Sequence, residues 1–188
     1  MLAVLKQTQT KKEITMQLKI CFIAPSEYGK NTAVKLLKEK YPIKNVKIAA
    51  PIYELVDRFY KYIETEMKGE QDGEFMQYLG RKIRQENVNF LHDCFIKEYN
   101  NSKNFCGIIT NDDCRPPDYQ FMKNLGFTFV KIVGFRRDRL DHTKSDPQNN
   151  LEWQENYDYD YCVENLKSIE EYRKNLYALV EKLLNYKG

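Results

Sequence analysis

The sequence predicts an α/β sandwich of three layers around a mostly parallel central sheet. Short apolar runs bounded by polar residues alternate with segments whose apolar residues fall three and four apart, which is the alternation of strands with helices. Charged residues then gather just after several apolar runs, and in a parallel sheet that is the rim where ligands sit.

The elements follow in order. Residues 1–16 are polar, weakly periodic and read as a flexible leader, so a single domain is expected over 17–188. Ile20 to Ala24 forms the first strand and ends at Pro25. A helix is expected from about Gly29 to Lys40, with Ala33, Leu36 and Leu37 on one face, until Tyr41-Pro42 stops it. Val46 to Ala50 reads as a second strand. Pro51 suits the first turn of the next helix, whose stripe is Ile52, Leu55, Val56 and Phe59. A charged, Gly-containing linker over 64–73 precedes helical spacing from Phe75 through Ile83, which continues past Phe90 to Tyr99. Phe105 to Thr110 has the pattern of a strand buried on both faces. A helix with Phe121, Met122 and Leu125 ends at Gly126, and Phe127 to Val133 is the next strand. Residues 134–156 are polar and read as a small lid. Tyr161 to Val163 is a last short strand before a helix striped by Leu176, Leu179, Val180, Leu183 and Leu184.

At 188 residues the chain suits one domain with a full core. A net charge of +3 argues against an extended nucleic-acid surface, and no apolar run reaches the length of a membrane helix. No signal peptide is visible, so a cytoplasmic location is expected. The five cysteines are widely spaced and fit neither zinc nor disulfide patterns, which predicts buried free thiols.

The stretch most loaded with chemistry is Ser26-Glu27-Tyr28-Gly29-Lys30-Asn31-Thr32, between the first strand and its helix. That order is the order of a phosphate-binding P-loop. Successive backbone N–H groups and the helix N-terminus cradle phosphates, Gly29 lets the backbone approach, and Lys30 brings a mobile charge. Ala24 stands in the first Gly slot, and Asn31 stands where Ser or Thr would meet magnesium.

Three further clusters are candidates. Asp113 and Arg115 follow a buried strand, with Pro116-Pro117 stiffening the turn; the Asp sits where such enzymes hold a carboxylate near magnesium. Gln77, Arg81 and Arg84 share a helix-like segment, where one Arg can fork onto a monophosphate or simply face solvent. Arg136, Arg137 and Arg139 form either a basic cluster that closes over phosphates or a solvated loop. His92 and His142 read as structural or surface residues, and Asp158 and Asp160 as caps.

In order, these segments resemble the bacteriophage-type deoxynucleoside monophosphate kinases, within the P-loop nucleoside monophosphate kinase fold. The resemblance covers about residues 18–184. The family's Gly-Lys-Asp-Thr is similar to Gly29-Lys30-Asn31-Thr32, and its Phe-Ala-x-Pro-Leu-Lys-Glu to Ile48-Ala49-Ala50-Pro51-Ile52-Tyr53-Glu54. Its Leu-Gln-x-Leu-Gly with a following Arg looks like Met76-Gln77-Tyr78-Leu79-Gly80 and Arg84. Its Asp-x-Arg-Phe-Pro-Asn-Glu looks like Asp113 to Tyr119, with Pro117 and Tyr119 as departures; Tyr53 replaces the family's Lys.

The resemblance implies ATP- and magnesium-dependent phosphorylation of a deoxynucleoside or nucleoside monophosphate. Residues 26–32 and Arg136 would bind ATP, and Asn31 and Asp113 would serve magnesium. Gln77, Arg81, Arg84 and Arg115 would hold the acceptor, with Lys30, Asp113, Arg115 and Arg137 in the catalytic set. A small-molecule partner is expected, with no nucleic acid and no membrane, and homodimer formation is left open. Two rivals stand beside it: a P-loop kinase for another small acceptor, and a degenerate P-loop protein that binds nucleotide or a partner without turnover.

Overall fold

The computed structural model describes residues 17–25, 27–67, 71–134 and 157–186. The leader 1–16, Ser26, and the residues 135–156 that contain Arg136, Arg137, Arg139 and His142 lie outside them.

Strand β1 (Leu18–Ile23) alternates its side chains between two cores. Leu18, Ile20 and Phe22 face helix α1 (Lys30–Lys40) and helix α6 (Ile169–Tyr186), while Cys21 and Ile23 face the opposite layer. That second layer holds α2 (Ala50–Tyr62), α3 (Gly73–Glu86), α4 (Phe90–Asn100) and α5 (Tyr119–Asn124). The other strands are β2 (Ile43–Asn45), β3 (Ile108–Asn111), β4 (Thr128–Gly134) and β5 (Tyr161–Asn165). They form one parallel sheet in the order β2-β3-β1-β4-β5. β1 is central. Its connection leaves toward β2, whereas that of its neighbour β4 leaves toward β5, so the chain reverses direction beside β1's carboxyl end, where such sheets bind ligands.

The expected three-layer architecture is present, with three local differences. The second strand is Ile43–Asn45, whereas Val46 to Ala49 is a loop that buries Val46 and Ile48. Ile48 and Ala49 give their N–H groups to the Asp113 carboxylate at 3.0 and 2.9 Å, so that anchor and not a strand ladder takes up their backbone donors. The long helical spacing from Phe75 to Tyr99 is two helices, parted at Asn87 to Asn89, where the Asn87 side chain accepts from the Asn89 N–H. Of the five free thiols, Cys21 and Cys114 are buried, but Cys106 and Cys162 are exposed; Cys162 lies on the face of β5 opposite buried Val163.

Gly126 ends α5 as its sequence suggests. It takes φ +73°, its N–H bonds the Lys123 carbonyl, and the Phe127 N–H reaches back to Met122, a Schellman stop that turns the chain into β4. Asp160 ties the start of β5 to β4, its carboxylate accepting the Phe129 N–H at 2.7 Å.

Candidate active site

The loop after β1 curls tightly. Glu27 has φ +66° and Gly29 φ +95°, and left-handed residues of this kind turn successive N–H groups toward a common concavity. Helix α1 begins immediately, with no side-chain cap and no acidic residue in its first turn, so no side chain of that turn offsets the positive end of its dipole. Asn31 is exposed and Thr32 half-buried there.

Lys30 folds back over this loop. Its Nζ donates to the carbonyls of Ala24 and Pro25 at 2.6 and 2.8 Å. Burial first, and the neighbouring Arg115 guanidinium second, push its ammonium down to about 8, against the pull of Asp112 and Asp113. Lys30 after β1 and Asp112, Asp113 and Arg115 after β3 thus lie at the same end of two adjacent strands, near enough for their charges to act on Lys30.

Asn111, the last residue of β3, builds the turn that presents these acids. Its Oδ1 accepts the N–H groups of Asp113 and Cys114, an Asx-turn, and its Nδ2 donates to the Val46 carbonyl and to Asp113. The two acids have different surroundings. Asp113 Oδ1 accepts from the Ile48 N–H and Asn111 Nδ2, and Oδ2 accepts from the Ala49 N–H. Burial nonetheless pushes the Asp113 carboxyl up, with the Asp112 charge adding to it. Asp112 is 4% exposed and gathers its donors on one oxygen: Asn45 Nδ2 at 3.0 Å and Lys47 Nζ at 3.2 Å both meet Oδ1. No donor among the described residues meets Oδ2, a buried carboxylate oxygen of the kind a divalent cation takes.

Tyr53 and Lys47 complete the wall. Lys47 Nζ lies 5.2 Å from the centre of the Tyr53 ring, and although burial opposes its charge, Asp112 raises it. Burial pushes the Tyr53 phenol up; Lys47, Asp113, Asp112 and Arg115 all act on it, which puts the phenol in the same cluster.

Of the three acceptor-helix residues, Gln77 and Arg81 are exposed on α3. Arg84 points elsewhere: its Nη2 lies 3.1 and 3.2 Å from the two oxygens of Asp118. Asp118 is fully buried and also accepts from His92 Nε2 at 2.9 Å and from the Arg115 N–H at 3.2 Å. His92 stacks on Phe121 at 3.9 Å, which makes it the structural residue its sequence suggests. Arg115 itself is exposed.

Asp112 reads from the sequence only as part of the charged run with Asp113 and Arg115 after β3, without a role of its own; Lys47, Asn111 and Asp118 were not among the sequence candidates, and neither were Asn165 and Tyr172, which touch the loop from behind. The adjacency of Asp112 to Asp113 was the one available signal.

No protein-family model and no curated protein sequence matches the chain. Among solved structures, a protein from Thermus thermophilus is similar at 16% identity and a TM-score of 0.51, over 91% of this chain and 99% of that one. A dephospho-CoA kinase from Campylobacter jejuni aligns at 10% identity and a TM-score of 0.49, over 92% and 100% of the two chains. A shikimate kinase from Aquifex aeolicus aligns at 17% identity and a TM-score of 0.47, over 91% and 99%. Likeness at this level concerns the fold alone. With its five parallel strands, its helices on both faces and the curled Gly29-Lys30 loop between β1 and α1, the chain has the α/β fold of the P-loop NTPases.

Proposed function

We propose that this protein transfers the terminal phosphoryl group of ATP to a small acceptor, and that the acceptor is a deoxynucleoside or nucleoside monophosphate. The observation that carries this reading is the curled loop that opens α1 with Lys30 folded over it, beside the acidic turn that follows the adjacent strand β3. Phosphoryl transfer asks little covalent chemistry of a protein; it asks for in-line positioning and for charge matched to the transferred oxygens. The loop N–H groups and Lys30 supply the donor's phosphate contacts. Arg115, exposed and adjacent to Lys30, is placed to neutralise charge between donor and acceptor.

Asp112 and Asn31 would hold magnesium here, and the ion would supply charge neutralisation to the phosphates. Oδ2 of Asp112, which meets no donor among the described residues, fits it better than Asp113, whose two oxygens already accept three N–H donors. Asp112 therefore takes the carboxylate role first given to Asp113. Asp113 positions: it ties the start of α2, and with it Tyr53, to the end of β3.

A second reading has one observation in its favour. Arg84 is engaged by Asp118, which leaves Arg81 and Arg115 for an acceptor's phosphate and suits a smaller acceptor too.

Coupled ADP release tests both. Wild type and Lys30→Ala are assayed with magnesium-ATP against deoxynucleoside monophosphates, ribonucleoside monophosphates, and small hydroxy acids and polyols. Stimulation by one monophosphate, lost in Lys30→Ala, is expected. Stimulation only by a hydroxy acid or polyol would move the assignment to the second reading, and no stimulation by any acceptor would overturn both.

A further inference from the structure

The outer side of the phosphate loop is gripped by two side chains from the far end of the chain. Asn165, the last residue of β5, donates from Nδ2 to the Tyr28 carbonyl at 3.2 Å. Tyr172, in α6, donates its hydroxyl to the Gly29 carbonyl at 3.1 Å. These partners are 137 and 143 residues apart in sequence. The fit is close: a Cβ at Gly29 would lie 2.6 Å from Asn165 Nδ2 and 3.5 Å from Tyr172 Cε1.

Both grips are themselves anchored. Tyr172 is fully buried in the core between α1 and α6, and burial pushes its phenol up, so it remains a donor at working pH. Asn165 packs its backbone against Gly134, where a Cβ would stand 3.1 Å from the Asn165 carbonyl oxygen, and Asn175 Nδ2 holds the preceding carbonyl, of Glu164.

A trans peptide unit is planar, and its C=O and N–H point in opposite directions. Fixing the Tyr28 carbonyl against Asn165 thereby aims the Gly29 N–H the other way. Fixing the Gly29 carbonyl, which Tyr172 shares with the Ala33 N–H at 2.8 Å, aims the Lys30 N–H likewise. Those two N–H groups belong to the phosphate cradle.

We propose that Asn165 and Tyr172 are positioning residues that set the loop's N–H groups for the nucleotide phosphates, acting through the Tyr28 and Gly29 carbonyls. The inference rests on the reading of this loop as the ATP phosphate site.

The test compares full-length wild type, Tyr172→Phe, Asn165→Ala and Asn165→Asp, with magnesium-ATP as the titrant in calorimetry and with KM measured separately for ATP and acceptor. Tyr172→Phe keeps the packed ring and removes only the hydroxyl, so it is the variant least open to misfolding. Loss of one such bond is expected to weaken ATP binding about three- to tenfold. The acceptor KM should stay within twofold of wild type and the melting temperature near that of wild type. Asn165→Asp, which sets oxygen against oxygen, should weaken ATP more than Asn165→Ala does. If wild type binds ATP and Tyr172→Phe and Asn165→Asp bind it equally well, the inference is overturned while the kinase reading stands. A fall in both KM-derived affinities together with melting temperature would also overturn it, since that is the signature of a merely structural contact. If wild type binds no ATP, the loop reading fails and takes this inference with it.

Discussion

Arg84 of α3 forms an ion pair with the buried Asp118 that precedes α5. The guanidinium, 28% exposed, spans both oxygens of a carboxylate that is 1% exposed. Because Asp118 also accepts the Arg115 N–H, the pair links α3 to the segment that presents Arg115.

Removing one partner of such a pair leaves a buried charge under-compensated. Arg84→Met should therefore destabilise the fold on the order of 3 kcal/mol in urea unfolding. Arg84→Met combined with Asp118→Leu should recover part of that loss. A double-variant loss equal to the sum of the losses of Arg84→Met and Asp118→Leu measured singly would show that the pair is not a coupled unit.

The burial of Lys30 makes the protein's stability depend on pH in a definite direction, and the proposed use of ATP should follow it. Its folded value of about 8 lies below the ordinary 10.5, so between these limits the unfolded chain binds more protons than the folded one. The penalty for burying this charge is therefore complete below about pH 8 and is relieved as pH rises toward 10.5. Stability of wild type measured against Lys30→Met should rise across that window. The value of kcat/KM for ATP, which reports the free enzyme, should fall above about pH 8 as the ammonium deprotonates. A profile flat to pH 10 would contradict the placement of this ammonium.

Asp112 and Asp113 are neighbours with separable tasks. Asp113→Asn replaces an acceptor oxygen with a donor facing N–H groups and should cost about 1–3 kcal/mol of stability. Asp112→Asn should lower turnover by at least about 100-fold, since even an outer-shell partner of a metal can be worth that much. Raised magnesium should partly rescue Asp112→Asn. If Asp113→Asn shows the magnesium rescue and Asp112→Asn does not, the roles are reversed.

Tyr53 distinguishes a nucleotide acceptor from a small aliphatic one. Stacking of a base on an aromatic side chain is worth about 1–3 kcal/mol, so Tyr53→Ala should raise the KM of a nucleotide acceptor roughly five- to hundredfold. The KM for ATP should not move. An acceptor KM unchanged by Tyr53→Ala would argue against a stacked base at this wall.

What was legible in the sequence was local. The first strand, the Gly29-Lys30 turn and α1 could be read because an apolar run, a glycine that needs φ +95° and a helical stripe follow one another directly. The true β2 was missed because Ile43–Asn45 is a half-buried edge strand without an apolar run, while buried Val46 bonds the Thr110 carbonyl and Ile48 is anchored by an aspartate 65 residues away. The separation of α3 from α4 was hidden because apolar residues resume in phase after Asn87 to Asn89. Asp118 could not be recognised as a hub, since its partners Arg84 and His92 lie 34 and 26 residues away on two different helices. Tyr172 reads as one more residue of the α6 stripe with Leu176, and only the fold brings its hydroxyl to Gly29.

The central claim is that phosphoryl groups pass from ATP to an acceptor at Lys30. The most direct measurement is a single-turnover reaction with ATP labelled in its terminal phosphate, run with the stimulating acceptor on wild type and on Lys30→Ala. The account predicts label in the acceptor's phosphorylated product with wild type and almost none with Lys30→Ala, while both proteins keep the same circular-dichroism spectrum. Label that remains in ATP with every acceptor, or that transfers equally well without Lys30, would contradict it.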